Sequence, residues 1–182
     1  KELKKATAQA DTQEKRRHGI TELITKSAAL LEKLEQHPKF ASARTVLLYY
    51  SLDDEVQTHD FVEKSGTAEN SFAAGIKGDE LELRILYRQA KTLKTGEAYH
   101  IEEPTGEAFT AYEKIDFAII PGVSFDAEAT GWEEEKDIMQ ITASSSFYNI
   151  GICYNFQVNE SCLSNLSTGE LDEVWTENGI LK

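Results

Sequence analysis

Three acids in a row, Asp53, Asp54 and Glu55, follow the apolar run TVLLYYS at 45–51. A strand that ends this way delivers carboxylates to its C-terminal edge, which is where open α/β sheets hold their ligands. The same acids would also favour the free amides at the start of a following helix, so a ligand-edge reading and a capping reading both stand. Basic residues gather at the other end of the chain, at Lys1, Lys4 and Lys5, then Lys15, Arg16 and Arg17. They read as a solvated helix face or as an anion-binding arm. A third stretch, ATGWEEEKDIMQITASSS at 129–146, follows a strand, where an α/β enzyme usually has its phosphate loop. It holds a single glycine and a run of acids. His18, His37, His59 and His100 are scattered without metal-ligand spacing and read as surface residues. Cys153 and Cys162 make neither a disulfide framework nor a zinc site. The N-x-S matches at Asn159 and Asn165 read as chance.

The elements that would position these residues alternate along the chain. Residues 1–17 read as a marginal helix with Leu3, Ala6 and Ala10 as a weak stripe. Residues 20–36 read as a better one, with Ile20, Leu23, Ile24, Leu31 and Leu34 at helical spacing and Pro38 ending it. The run 45–51 is of strand length and suits burial on both faces. HDFVEK, from His59, predicts a short helix. ELELRILY (80–87) alternates, with Leu81, Leu83, Ile85 and Tyr87 on one side, as in a half-buried strand. Residues 94–107 read as a loop. IDFAIIPGVSFD (115–126) reads as a buried strand stopped by Pro121-Gly122, NIGICYNF (149–156) as a third buried strand and LDEVWTE (171–177) as a short last one. Residues 65–76 show no usable period.

This alternation predicts one domain over 1–182. Its expected fold is α/β: three layers, a mainly parallel sheet with helices on both faces, Rossmann-like. With 182 residues, 40% of them apolar, the chain can bury a real core. A formal net charge of -13 argues against nucleic-acid binding through phosphate neutralisation. Any anionic ligand would need a local basic pocket. No apolar run approaches the roughly 18 residues of a membrane span, and the charged start KELKK is not a signal peptide. The expectation is a cytoplasmic monomer.

The blocks TVLLYYSLDDEVQTHDF, YHIEEPTGE, KIDFAIIPGVSFD, IGICYNFQ and DEVWTE, in this order and spacing, resemble the 5-formyltetrahydrofolate cyclo-ligase (5,10-methenyltetrahydrofolate synthetase) family. The KELKK start fits the basic helix that opens members of that family. The resemblance covers most of the chain and is poor in 6–30, 65–76 and 129–146. It implies an enzyme that binds ATP, Mg²⁺ and a small-molecule substrate, the reduced folate 5-formyltetrahydrofolate. In that family the formyl oxygen is phosphorylated, N10 attacks the activated carbon, phosphate leaves and the methenyl ring closes. By resemblance, Lys1 and Lys5 fall at the nucleotide phosphates. Glu55 falls at a folate-contacting carboxylate, and Tyr50 would line the same pocket. Asp172, in LDEVW, falls at a magnesium-site carboxylate. No residue is assigned as the catalytic acid or base.

After its F-D-A-E-G block the family carries N-R-L-G-R-G-K-G-Y-Y-D, whose glycines let backbone amides approach phosphate. Here the aligned residues are TGWEEEKDIMQ. Lys136 keeps the place of the nucleotide-binding lysine. Glu133, Glu134, Glu135 and Asp137 replace the glycines and the arginine, and Gln140 replaces the aspartate. Two like charges about 4 Å apart repel by roughly 1 kcal/mol in water and about 4 kcal/mol at an effective dielectric near 20. Three readings follow: a homologue that has lost catalysis but keeps a pocket, an enzyme whose loop points outward while other groups take over, and a stretch whose letters differ from those the molecule carries. The block-like mismatches, which include 65–76 where the family has a strand, favour the third. The intact mass of the protein decides it.

Overall fold

The computed structural model describes residues 19–51, 53, 55–65, 70–77, 80–86, 93–95, 102–104, 107–122, 146–158 and 171–181. Helix α1 spans Ile20–Glu35 and buries Leu23, Ser27, Leu30, Leu31 and Leu34. The buried stripe is turned from the expected one: Ile20 and Ile24 are 78% and 51% exposed. Leu30 and Ser27 take the inward positions, because Ser27, Leu30, Leu31 and Leu34, at i, i+3, i+4 and i+7, face the sheet with Leu23 one turn before them. Pro38 stands just beyond the end of α1, after an extended His37. It opens a second helix, α2 (Pro38–Ser42), where its missing N–H costs nothing. His37 caps this helix, its ring accepting the Lys39 N–H at 3.1 Å.

Strand β1 (Thr45–Leu48) is buried along its whole length. The chain then runs through α3 (His59–Ser65) into β2 (Asn70–Lys77), β3 (Glu80–Leu86) and a separate ribbon of β4 (Leu93–Thr95) and β5 (Glu102–Pro104). After a 3-10 turn at Tyr112–Lys114 come β6 (Phe117–Pro121), β7 (Tyr148–Ile152), a 3-10 turn at Asn155–Gln157, β8 (Glu173–Thr176) and β9 (Gly179–Ile180). The main sheet has seven strands in the order β3-β2-β1-β6-β7-β8-β9. Strands β2, β1, β6, β7 and β8 run parallel, while β3 and β9 close the edges antiparallel. The mainly parallel α/β sheet expected from the sequence is the one observed.

Two departures have physical reasons. Residues 70–77, without a period, form β2 because both neighbours dictate it: β1 pairs it parallel and β3 antiparallel. A strand held on both sides needs no amphipathic signal of its own. The loop read at 94–107 contains β5 and part of β4.

Strand alternation sorts the core into two layers. Val46, Leu48, Phe117, Ile119, Ile150 and Ile152 meet α1, α3 and Phe40 of α2 on one face. Leu47, Ala118, Ile120, Val174 and Cys153 face the other way, against Leu83, Ile115, Phe147 and Leu171. Among the described residues, all three α-helices pack on the first face. The chain leaves β1 toward β2 on one side and later returns to pair β6 on β1's other side. That reversal is a topological switch point, and in such sheets the crevice lies beyond the C-terminal ends of the two strands.

Candidate functional site

The C-terminal end of β1 is Tyr49-Tyr50-Ser51, and its side of the crevice is built by a closed loop. The Thr58 hydroxyl donates to the Tyr49 carbonyl at 2.7 Å and accepts the Ser51 N–H at 3.1 Å. The Thr58 N–H in turn donates to the Ser51 hydroxyl at 2.9 Å. This reciprocal clasp fixes both ends of the segment that carries Asp53 and Glu55. The Tyr49 hydroxyl reaches across to the Val56 carbonyl at 3.1 Å. Burial first, then the charge of Glu55, then Tyr154 and Cys153 push the Tyr49 phenol well above its ordinary value.

Glu55 is 7% exposed and Asp53 is exposed. A carboxylate does not take up a buried position without partners, so the loop, rather than solvent, sets its place. Its backbone carbonyl accepts the Tyr154 hydroxyl at 3.0 Å and the Gln57 side-chain amide at 2.9 Å. Tyr154 leaves the end of β7, and its hydroxyl also lies 2.9 Å from the Ser27 hydroxyl of α1. Ser27 accepts the Gln57 N–H at 2.9 Å. Thus α1, the β1 loop and the end of β7 meet at one buried polar node beneath Glu55.

Tyr50 is half-buried, and its ring stacks on His59 with centroids 3.9 Å apart and planes within 9°. A groove of about 450 Å³ runs between α1 and α3, with Ile24, Leu31 and Phe61 among its lining and Gln57 and His59 reaching it. The end of β6 also approaches the end of β7 closely. A Cβ on Gly122 would stand 2.5 Å from Cys153 Cβ and 3.1 Å from the Ile152 carbonyl oxygen.

The structure places Tyr50 and Glu55 on the same loop at the end of β1. It does not bring Asp172 to them. Asp172 stands before β8, and its carboxylate accepts the Asn149 N–H at 2.8 Å, while its own N–H donates to the Asn149 side-chain oxygen at 2.7 Å. Asp116 does the same before β6, accepting the Arg44 and Thr45 N–H groups at 2.9 Å each. Both carboxylates brace the starts of parallel strands, where backbone donors lack ladder partners. Three strand spacings separate β1 from β8, on the order of 15 Å across the sheet. Asp172, expected at a magnesium-site carboxylate, thus stands before β8 and is engaged with Asn149. Lys1, Lys5 and Lys136 lie outside the described residues, as do the stretch 129–145, His18, His100, Cys162, Asn159 and Asn165.

Sequence reasoning missed three residues of the site. Ser27 carries no signal, because its partner Tyr154 lies 127 residues away. Tyr154 had one: a tyrosine at the exit of a buried strand, in the polar turn CYNFQ. His59 was read as a surface residue, yet it stacks on Tyr50 and meets the Ser51 carbonyl at 2.8 Å. His37 also departs from that reading. Its Nε2 lies 2.7 Å from Glu173, which also accepts the Tyr148 hydroxyl at 2.9 Å. The Lys39 N–H can only donate, so His37 Nδ1 is the acceptor and Nε2–H points at the carboxylate. That cluster sits at the starts of β7 and β8, away from the crevice.

The fold and crevice define a class, the open and mainly parallel α/β proteins that bind ligands beyond a switch point. Within that class the chain is similar to two solved structures. The 5,10-methenyltetrahydrofolate synthetase of Aquifex aeolicus matches with a TM-score of 0.75 at 21% identity, over 98% of this chain and 91% of that one. The 5,10-methenyltetrahydrofolate synthetase of Mycoplasma pneumoniae matches with a TM-score of 0.59 at 20% identity, over 86% of this chain and 88% of that one. At these identities the likeness shows the fold. No protein-family model and no curated protein matches the chain.

Proposed function

We propose that the protein is a 5-formyltetrahydrofolate cyclo-ligase. In this reading it converts 5-formyltetrahydrofolate to 5,10-methenyltetrahydrofolate, consuming ATP with Mg²⁺ and releasing ADP and phosphate. The observation that carries the reading is the likeness to the Aquifex aeolicus synthetase over 98% of this chain, with Glu55 buried on the β1 loop at the switch point. Glu55 accepts hydrogen bonds from the donor-rich edge of the reduced pterin. Tyr50 lines the same pocket, and the Ser51–Thr58 clasp holds both in place before substrate arrives, which is how a site lowers the entropy cost of orientation.

ATP, when bound, turns the formamide oxygen, a poor leaving group, into phosphate, a good one. Among the described residues no cluster of His, Cys, Asp and Glu could hold a metal ion, and Asp172 is engaged with Asn149. In this reading Glu55 and Tyr50 serve the folate side of the reaction. Lys1, Lys5 and Lys136 are the proposed contacts to the nucleotide phosphates.

The test follows the methenyl chromophore by absorbance, using protein expressed from the gene with ATP, Mg²⁺ and 5-formyltetrahydrofolate. Turnover is expected; its absence rejects catalysis. One observation favours a second reading, a non-catalytic folate- or nucleotide-binding homologue. Glu133, Glu134 and Glu135 occupy the place of a glycine-rich phosphate loop. Calorimetry separates the two, since folate binding without ATP binding or turnover fits only the second.

A further inference from the structure

The Tyr50–His59 pair carries an inference that rests on the folate reading and goes beyond it. Three consecutive residues at the end of β1 are each gripped by residue 58 or 59. Thr58 holds the backbones of Tyr49 and Ser51. His59 meets the Tyr50 ring, at 3.9 Å and 9°. The imidazole is itself fixed. Its Nε2 lies 2.8 Å from the Ser51 carbonyl, which can only accept, so Nε2 carries the proton and the ring cannot turn without losing that bond. The backbone of His59 is set as the first residue of α3, whose opening turn is closed by Val62 N–H donating to the Thr58 carbonyl at 2.8 Å. The two rings therefore lie across the base of the loop that presents Glu55.

We propose that His59 is a positioning residue for the reduced folate: its ring sets the plane of Tyr50 and closes the base of the Glu55 loop, so that both folate contacts are oriented in the free protein. The stack, and not the hydrogen bond to Ser51, is the part the substrate senses. Ser51 is already held by Thr58, whereas His59 lies flat against the Tyr50 ring.

Steady-state kinetics of the full chain test this with three substitutions. His59→Ala removes the ring, His59→Phe keeps a stacking ring but no donor, and His59→Asn keeps a donor but no stack. The expected result for H59A is a KM for 5-formyltetrahydrofolate raised roughly three- to tenfold, the fold-change a stacked aromatic pair is worth. The KM for ATP and the thermal midpoint of H59F should stay near those of the unsubstituted chain. H59F should recover most of the lost folate affinity and H59N little of it. An unchanged folate KM in H59A overturns the proposal. So do equal losses for folate and ATP, or rescue by H59N and not by H59F. A second readout does not depend on catalysis. The NMR ring resonances of Tyr50 should move in H59A, and resonances that stay put refute the clamp itself. If the unsubstituted chain neither binds nor turns over folate while Tyr50 does move, the functional reading has failed and takes the folate role of His59 with it.

Discussion

At the scale of single residues, the position of Glu55 raises the largest energetic question. A buried carboxylate costs several kcal/mol unless its oxygens find donors, and hydrogen bonds to a charged group return about 1.5–3 kcal/mol each. In the folate reading, part of that return comes from the ligand. Exchanging Glu55 for Gln keeps the shape and removes the charge. It should weaken 5-formyltetrahydrofolate binding by roughly ten- to a hundredfold while leaving ATP binding nearly intact. Calorimetry with each ligand alone checks this, and an equal loss for both refutes the assignment. Tyr148, at the other end of the sheet, gives a pH prediction with a definite sign. Burial, then the hydrogen bond to Glu173, then the charges of Glu173 and Asp172 push its phenol up to about 12. Below the ordinary tyrosine value of about 10 the folded and unfolded chains both hold the proton, so the full contribution to stability is present. As the pH rises from there through 12, the unfolded chain releases its proton first and the contribution is lost. Following the Tyr148 ring resonance in Glu173→Gln should show the phenol titrating at lower pH. An unshifted titration would assign the effect to burial alone.

At the scale of elements, the crevice depends on how closely β6 and β7 converge at their ends. The close approach of Gly122 to Cys153 leaves no room for a side chain, and the Cβ that alanine adds would fall 2.5 Å from Cys153 Cβ, itself buried and unable to withdraw. Gly122→Ala should therefore cost about 1–3 kcal/mol in urea unfolding, as overpacking of a rigid core does. Adding Cys153→Gly, which removes the opposing Cβ, should recover part of that loss; no recovery would mean that the backbone, not the side chain, is the obstacle. The buried strands were legible in the sequence because each is a short unbroken apolar run, VLLYY, FAII or NIGIC. β2 was not, since Ala73, Ala74 and Gly75 carry no alternation and its identity comes from the strands on either side. α1 was legible as a helix but not in its rotation, because Ile20 and Ile24 obey the spacing as well as Leu30 does. In the site, the block raised Glu55 and Tyr50 as expected folate contacts. The contacts of Ser27 and His59 had no sequence signal, because only folding creates them, and Tyr154 offered only its place at the exit of a buried strand. The amide contact of Asp172 was not legible, because a carboxylate before a strand looks the same in sequence whether it holds a cation or braces an amide.

At the scale of the whole molecule, charge is the property that bears most on function. A chain with a formal net charge of -13 that is proposed to bind a triphosphate works against its own field. Screening removes most of the long-range part at physiological salt, where charges beyond about 8 Å scarcely act on one another. What remains is local, and in the sequence it falls on Glu133, Glu134 and Glu135, aligned with a phosphate loop. Two of the readings of that run differ in what neutralising it would do. If the glutamates face the nucleotide, each repels it by about 1 kcal/mol or more. Exchanging all three for Gln should then tighten ATP binding by roughly a hundredfold, with a matching fall in its dependence on salt. If the run points outward and other groups hold the phosphates, the triple exchange should leave ATP affinity and its salt dependence unchanged. The same titration with 5-formyltetrahydrofolate should move little in either case, because the Ser51–Thr58 clasp holds the β1 loop that carries Glu55. An intact mass of the gene-encoded chain comes first, since a mass that departs from that of the printed 182 residues would remove the acidic run as the obstacle. With the mass in agreement, an ATP affinity that rises in the triple variant while turnover stays absent would identify a protein that has kept the folate half of the crevice and lost the nucleotide half to three negative charges.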